Sequence, residues 1–93
     1  MSFAIQYHPA VIAQDIPKLS TTVRAQIRRA IETRLTTNPE VYGKPLRRSL
    51  RGYLKIRVGD YRVIYRIERG VVKVFVIQHR SVVYERGSKR IQS

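Results

Sequence analysis

The 93-residue chain has no cysteine, no tryptophan, one methionine and only six acidic residues. Without cysteine, a disulfide framework and a thiolate metal site are both excluded. The lack of disulfides fits a reducing compartment. No apolar run approaches the roughly 20 residues that cross a bilayer. The opening MSFAIQYHPA lacks the charged start and long apolar core of a secretion signal. A soluble, cytoplasmic protein with no membrane contact is expected. No repeat or low-complexity segment occurs, and no ligand cluster has zinc or magnesium spacing.

What the chain has in excess is positive charge. Nineteen Lys and Arg face six Asp and Glu, a net charge of +13, and fourteen of the nineteen are Arg. Arginine's planar fork pairs two phosphate oxygens at once, whereas lysine is a point charge. So lopsided a small domain repels itself. Solubility alone does not require that, so nucleic acid or an acidic protein partner is the expected reason. Hydrophobic residues make up 43% of the chain, enough to fold. The length predicts one domain, residues 1–93, with a core that needs no staples.

FAIQYH, residues 3–8, alternates weakly and reads as a first strand. Pro9 favours a helix start, with Ile12, Ile16 and Leu19 at helical spacing and Pro17 limiting its length. Ser20 and Thr21 can cap a second helix. Val23, Ile27, Ala30, Ile31 and Leu35 form its apolar stripe. Arg24, Arg28 and Arg34 lie off that stripe, as a wet helix face or a contact for RNA or a partner. The helix should stop near Asn38-Pro39. Residues 39–52 hold two prolines, two glycines and four cations, and read as a loop. From Tyr53 the period changes to two, predicting strands over 53–58, 61–67 and 71–78 and a short one around Val82–Tyr84. The tail ERGSKRIQS reads as loose or waiting for a partner. The expected fold is α+β: an N-terminal strand, two helices, then a meander of three to four strands, with the helices on one face of an antiparallel sheet.

Gly59-Asp60 is a two-residue hairpin loop, which fixes register. Val58 must face Tyr61, Arg57 must face Arg62, Ile56 must face Val63, and Lys55 must face Ile64. Alternation puts Leu54, Ile56, Val58, Tyr61, Val63, Tyr65 and Ile67 on a core face. The other face carries Tyr53, Lys55, Arg57, Arg62, Ile64 and Arg66. Facing Cβ atoms sit only ~5 Å apart, so two opposed arginines destabilise a sheet. Within strands 53–58 and 61–67 no acid shares their face. A bound anion would turn that repulsion into a two-pronged clamp. The alternative is that both arginines splay into solvent.

VKVFVI is apolar on both faces, as in a covered strand. The turn before it is Glu68-Arg69-Gly70 or Arg69-Gly70, and the choice flips its side chains. His79, Arg80 and Tyr84 follow and could curl back toward the basic platform. His8 reads as a turn histidine, and Tyr61 and Tyr65 as packing. Arg47, Arg48 and Arg51 read as a solvated basic loop or as grips on RNA phosphates.

The element order, the stretch LRG…KIRVGDYRVIYRI and the closing HRSVVY resemble the RelE/ParE toxin superfamily, more specifically RelE. The likeness spans nearly the whole chain and is strongest over residues 46–84. It implies a toxin of a type II toxin–antitoxin pair, a metal-independent endoribonuclease that inhibits translation. Such toxins enter the ribosomal A site and cut mRNA there by 2′-hydroxyl attack. The implied partners are the ribosome, mRNA and an acidic, RelB-like antitoxin, with no cofactor. Carried over, the family's basic strand pair falls on Lys55 and Arg57, its next-strand arginine on Arg62, its late arginine on Arg80 and its near-terminal tyrosine on Tyr84. Arg57 stands where the family has lysine. His79, beside Arg80, could share its task.

The chemistry needs a base for the 2′-hydroxyl, a stabiliser for the phosphorane and help for the leaving oxygen. Lys55 fits the first, because neighbouring positive charge favours its neutral form. Arg57 and Arg62 fit the second, and Arg80 or His79 the third. Tyr84, and Tyr53 with it, would stack on bases. Arg47, Arg48, Arg51 and Arg66 would add RNA contacts. The alternative from the same superfamily is a ParE-like ligand that poisons DNA gyrase without chemistry of its own. A basic RNA-binding module without activity is the third possibility.

Overall fold

Strand β1 (Ala4–Tyr7) opens the chain. The structure, a computed structural model, describes residues 2–92, so both ends of the expected 1–93 domain lie outside the described residues. A helical run follows, made of a π turn (Val11–Asp15) and a 3-10 turn (Ile16–Lys18). Helix α1 (Thr21–Ala30) passes into a second π turn, Ile31–Leu35. Next come the short helix α2 (Pro39–Tyr42), the two-residue strand β2 (Lys44–Pro45) and a 3-10 turn at Arg48–Leu50. The meander is β3 (Leu54–Val58), β4 (Tyr61–Glu68) and β5 (Val71–His79), and helix α3 (Val83–Gln92) closes the chain. The architecture is α+β, as expected. The sheet order is β1-β5-β4-β3-β2.

The hairpin register agrees with the sequence reading at all four pairs named, and Leu54 opposite Tyr65 continues it. Gly59 takes φ 60° in the turn, a conformation that costs glycine nothing. The next turn is Arg69-Gly70, since Glu68 pairs with Val71. Both its residues have positive φ, 50° and 78°, as a primed two-residue turn requires. One register shift interrupts β4 and β5: Ile64 faces Val76 but Tyr65 faces Val74, which leaves Phe75 as the extra residue. That bulge turns Phe75 and Val76 to the same side of the sheet.

Two cores result. On one face Val63, Tyr65, Val72, Val74 and Ile77 pack against Ile27, Ala30, Ile31 and Leu35 of the helical run. On the other face Ile64, Phe75 and Val76 pack against Leu50 and Val83. Ser20 caps α1 by accepting a hydrogen bond from the Val23 N–H at 3.2 Å.

Five sequence expectations need correction. The sheet is mixed, because β1 pairs parallel to β5, and local periodicity carries no strand direction. Residues 39–52 are not one loop but hold α2, β2 and the turn that buries Leu50. No strand forms around Val82–Tyr84 and the tail is not loose, since residues 83–92 form α3. That helix covers the second face, so helices lie on both sides of the sheet. In the first helical run Leu19 is buried as expected, but Ile12 is 59% exposed, and Val11 and Asp15 point inward instead. The wide π turn sets successive inward positions four residues apart there.

Asp15 is the most deeply buried charged residue among those described. It accepts from the Ile77 N–H at 2.9 Å and from Gln78 Nε2 at 2.9 Å. Arg90 on α3 forks onto its two oxygens at 2.9 and 3.0 Å and also donates to the Phe75 carbonyl at 2.8 Å. The unpaired backbone of the bulge is thereby satisfied, and α3 is fastened to the first helical run. No helix among the described residues is long and apolar enough to cross a membrane.

Candidate functional site

The register of β3 and β4 sets Arg57 directly opposite Arg62, on the face away from the larger core. Strand β2 adds Lys44 directly opposite Lys55. These four cations line one cavity of about 370 Å³, together with Ile56, Tyr42 at the end of α2 and Arg34 from the second π turn. The cavity lies at the β3 edge of the sheet, beside the short β2. Arg34 reaches that edge and donates to the Arg57 carbonyl at 3.3 Å. Arg62 folds over the turn and donates to the carbonyls of Gly59 at 3.1 Å and Tyr61 at 3.0 Å. Among the described residues, five cations and no acid line the cavity.

Tyr84, in the first turn of α3, closes one side of this row. Its hydroxyl accepts from Lys55 Nζ at 2.9 Å, and the same ammonium lies 5.1 Å from its ring centroid. The ring stays 37% exposed, so a base can still reach it. Lys55, Arg57 and Arg62 therefore share one cavity, and Tyr84 joins them through Lys55.

The remaining candidates fall elsewhere. Arg80 sits at the tip of the hairpin, with its N–H on the Asp60 carbonyl at 2.8 Å and Nε 3.7 Å from the Asp60 carboxylate. His79 faces away from the basic row. It pairs with Tyr61 across the ladder, meets that ring edge-on at 5.6 Å and hydrogen-bonds Ser81 Oγ at 2.8 Å. Curling back of His79 toward the platform does not occur. Arg47, Arg48 and Arg51 are exposed around the turn that packs beneath α3.

Tyr53 and Arg66 form a separate patch. Arg66 lies 5.6 Å over the Tyr53 ring, and Tyr53 stacks obliquely on Phe75 at 5.0 Å. They line a different concavity of about 270 Å³ with His8 and Lys73. Strand β4 runs one residue further than expected, so Glu68 shares the platform face after all. It engages Arg66 at 2.6 Å and Lys73 at 3.0 Å. The hydrogen bond from Lys73, with the charge of Arg66 beside it, holds the Glu68 carboxyl below its usual range. Glu68 thus neutralises this second patch, and among the described residues no carboxylate pairs with Arg57 or Arg62.

Tyr42 and Lys44 were not singled out as site residues by the sequence, and Arg34 was read only as part of a wet helix face or a contact for RNA or a partner. The available signal for Lys44 was its place in a cationic loop. Nothing local joins Arg34 or Tyr42 to residues some twenty positions downstream. Among the described residues no group of three or more His, Cys, Asp or Glu side chains could hold a metal ion.

Comparisons with known proteins follow the same lines. The family described as "ParE toxin of type II toxin-antitoxin system, parDE" matches residues 5–84. The chain is 37% identical over 83 residues to Toxin RelE of Mycobacterium tuberculosis, covering 84% of this chain and 86% of that toxin. A chain of the M. tuberculosis toxin–antitoxin complex RelBE2 superimposes with a TM-score of 0.78 at 28% identity, covering 85% of this chain and 99% of that one. A mutant of the E. coli toxin RelE in the free state gives 0.74 at 25% identity, covering 98% of this chain and 99% of that one. With the fold and the basic cleft, these matches define the class, the small toxins of type II toxin–antitoxin systems. The chain belongs to the RelE/ParE family of such toxins and is RelE-like in sequence and fold.

Proposed function

We propose that the chain is a ribosome-dependent endoribonuclease that cuts mRNA in the A site and thereby stops translation. The observation that carries this is the acid-free cleft in which Lys55, Arg57 and Arg62 gather beside Tyr84. In the proposed reaction Lys55 accepts the 2′-hydroxyl proton, and the 2′-oxygen bonds to phosphorus. Arg57 and Arg62 take up the charge that grows on the phosphorane oxygens. The P–O5′ bond breaks, leaving a cyclic phosphate and a 5′-oxygen that takes up a proton. His79 faces the other side of the sheet and Arg80 is held by Asp60 at the hairpin tip, so the leaving 5′-oxygen takes its proton from solvent. Tyr84 stacks on a base and keeps the strand bent. The reaction uses no cofactor.

An acidic antitoxin partner is part of the same proposal. A net charge of +13 needs a counterpart before the toxin is needed. The match to a chain of a toxin–antitoxin complex points the same way. The chain would act in the cytoplasm, where ribosomes are.

The test is purified protein added to programmed ribosomes, with cleavage mapped by primer extension. Wild-type protein should cut within the A-site codon. Arg62→Ala should slow cutting by roughly 10²–10³-fold, the usual cost of removing one oxyanion donor. Undiminished cutting by that variant would sink the assignment of the site. The family's ParE description favours a second reading, inhibition of DNA gyrase without catalysis. Loss of gyrase supercoiling activity with translation intact would establish it.

A further inference from the structure

We propose that Tyr42 is a second base-stacking residue of the cleft, holding the nucleobase on the far side of the scissile phosphate from Tyr84. The proposal rests on the reading of the cleft as an RNA site. Tyr42 is half exposed and lines the same cavity as Lys55, Arg57 and Arg62. Its neighbours there are cations and Ile56, yet its ring makes no cation–π or ring contact among the described residues, and its hydroxyl makes no hydrogen bond. An aromatic surface left open in a phosphate-binding cavity is what an unstacked base requires.

The backbone that carries the ring is also held still, which limits where the ring can go. Helix α2 begins with Pro39 at its first turn. The Pro39 carbonyl accepts a 2.6 Å hydrogen bond from the fully buried Tyr65 hydroxyl and a 3.2 Å bond from the Gly43 N–H. Gly43 approaches so closely that a Cβ there would collide with the Tyr65 hydroxyl and with Leu54. The backbone on either side of Tyr42 is thus pinned to the core. Lys55 touches Tyr84 on α3 and shares its cavity with Tyr42 on α2. The two tyrosines thus reach the surroundings of Lys55 from different elements. A dinucleotide splayed between them presents its 2′-hydroxyl and phosphate to Lys55, Arg57 and Arg62. Recognition is then of single-stranded RNA with neighbouring bases drawn apart, and a stacked duplex is refused.

Two measurements test this. In the ribosome assay Tyr42→Ala should raise KM by about 5- to 150-fold, the range of one lost base–aromatic stack. Tyr42→Phe should rescue it, because the ring and not the hydroxyl is used. The chain has no tryptophan, so Tyr42→Trp supplies a single reporter. Its fluorescence should be quenched by a short single-stranded oligonucleotide carrying a 2′-deoxy sugar at the scissile position, at low salt. A KM unmoved by Tyr42→Ala, or no quenching up to millimolar oligonucleotide, overturns the proposal. Weakened antitoxin binding with RNA cleavage intact in Tyr42→Ala overturns it too, and makes the residue a protein contact. If wild-type protein cuts no mRNA, the nuclease reading fails by itself, and the quenching measurement still decides whether Tyr42 stacks.

Discussion

Arg57 and Arg62 are direct cross-strand partners, and among the described residues no carboxylate pairs with either. Facing like charges cost a sheet roughly 0.2–1 kcal/mol. Arg62 moderates this by turning onto two backbone carbonyls at the hairpin turn. The arrangement is a weakness in the free protein and an asset once phosphate lies between the guanidinium groups.

Stability and RNA binding should therefore move in opposite directions at Arg57. Arg57→Thr should raise the urea midpoint by an amount equivalent to about 0.2–1 kcal/mol. The same variant should bind single-stranded RNA more weakly, with its log affinity falling less steeply against log salt by about 0.7. Equilibrium unfolding and anisotropy across a salt series measure both. A variant that is both less stable and unchanged in salt slope would contradict the clamp.

The buried Asp15–Arg90 pair predicts a second outcome. Asp15→Ala strands a guanidinium that is only 8% exposed and orphans the Ile77 N–H. Losing one partner of a buried pair costs about 3–5 kcal/mol. The damage should concentrate in α3, which carries Tyr84 to Lys55. Hydrogen exchange should show residues 83–92 losing protection before β4 and β5 do. Unaltered protection of α3 in this variant would mean that the pair does not fasten the helix.

Tyr65 predicts an alkaline transition. Burial pushes its hydroxyl up to about 12, whereas an unfolded tyrosine ionises near 10. The folded pKa is the higher one, so the linked stability is fully present below about pH 10 and is lost as pH rises toward 12. Tyr65→Phe should make the loss across that window shallower. At neutral pH it should cost about 1 kcal/mol, since the Pro39 carbonyl keeps its bond from Gly43. Urea titrations at several pH values compare the two proteins.

The hairpin was legible because a two-residue turn leaves one register, and the register then assigns every side chain to a face. The stripe Ile27, Ala30, Ile31 and Leu35 was legible for a similar reason, since all four positions carry apolar residues. Helix α3 was not. Its inward positions include Val83, Gly87 and Arg90, and a glycine and an arginine carry no apolar signal. Arg90 can be buried only because Asp15 meets it from 75 residues away. The first helical run was misread for the same reason, because its inward row contains that aspartate.

By itself, then, the chain's order of residues determined the α+β class, the two faces of the β3–β4 hairpin and the opposition of Arg57 to Arg62. Each of those depends on neighbours a few positions apart. Only the tertiary structure decided that Arg34, Tyr42 and Lys44 join that pair, that Tyr84 lands on Lys55, and that His79 turns to the other face. These follow from a bulge at Phe75, a parallel first strand and a buried ion pair, contacts between distant segments whose energies no local pattern encodes.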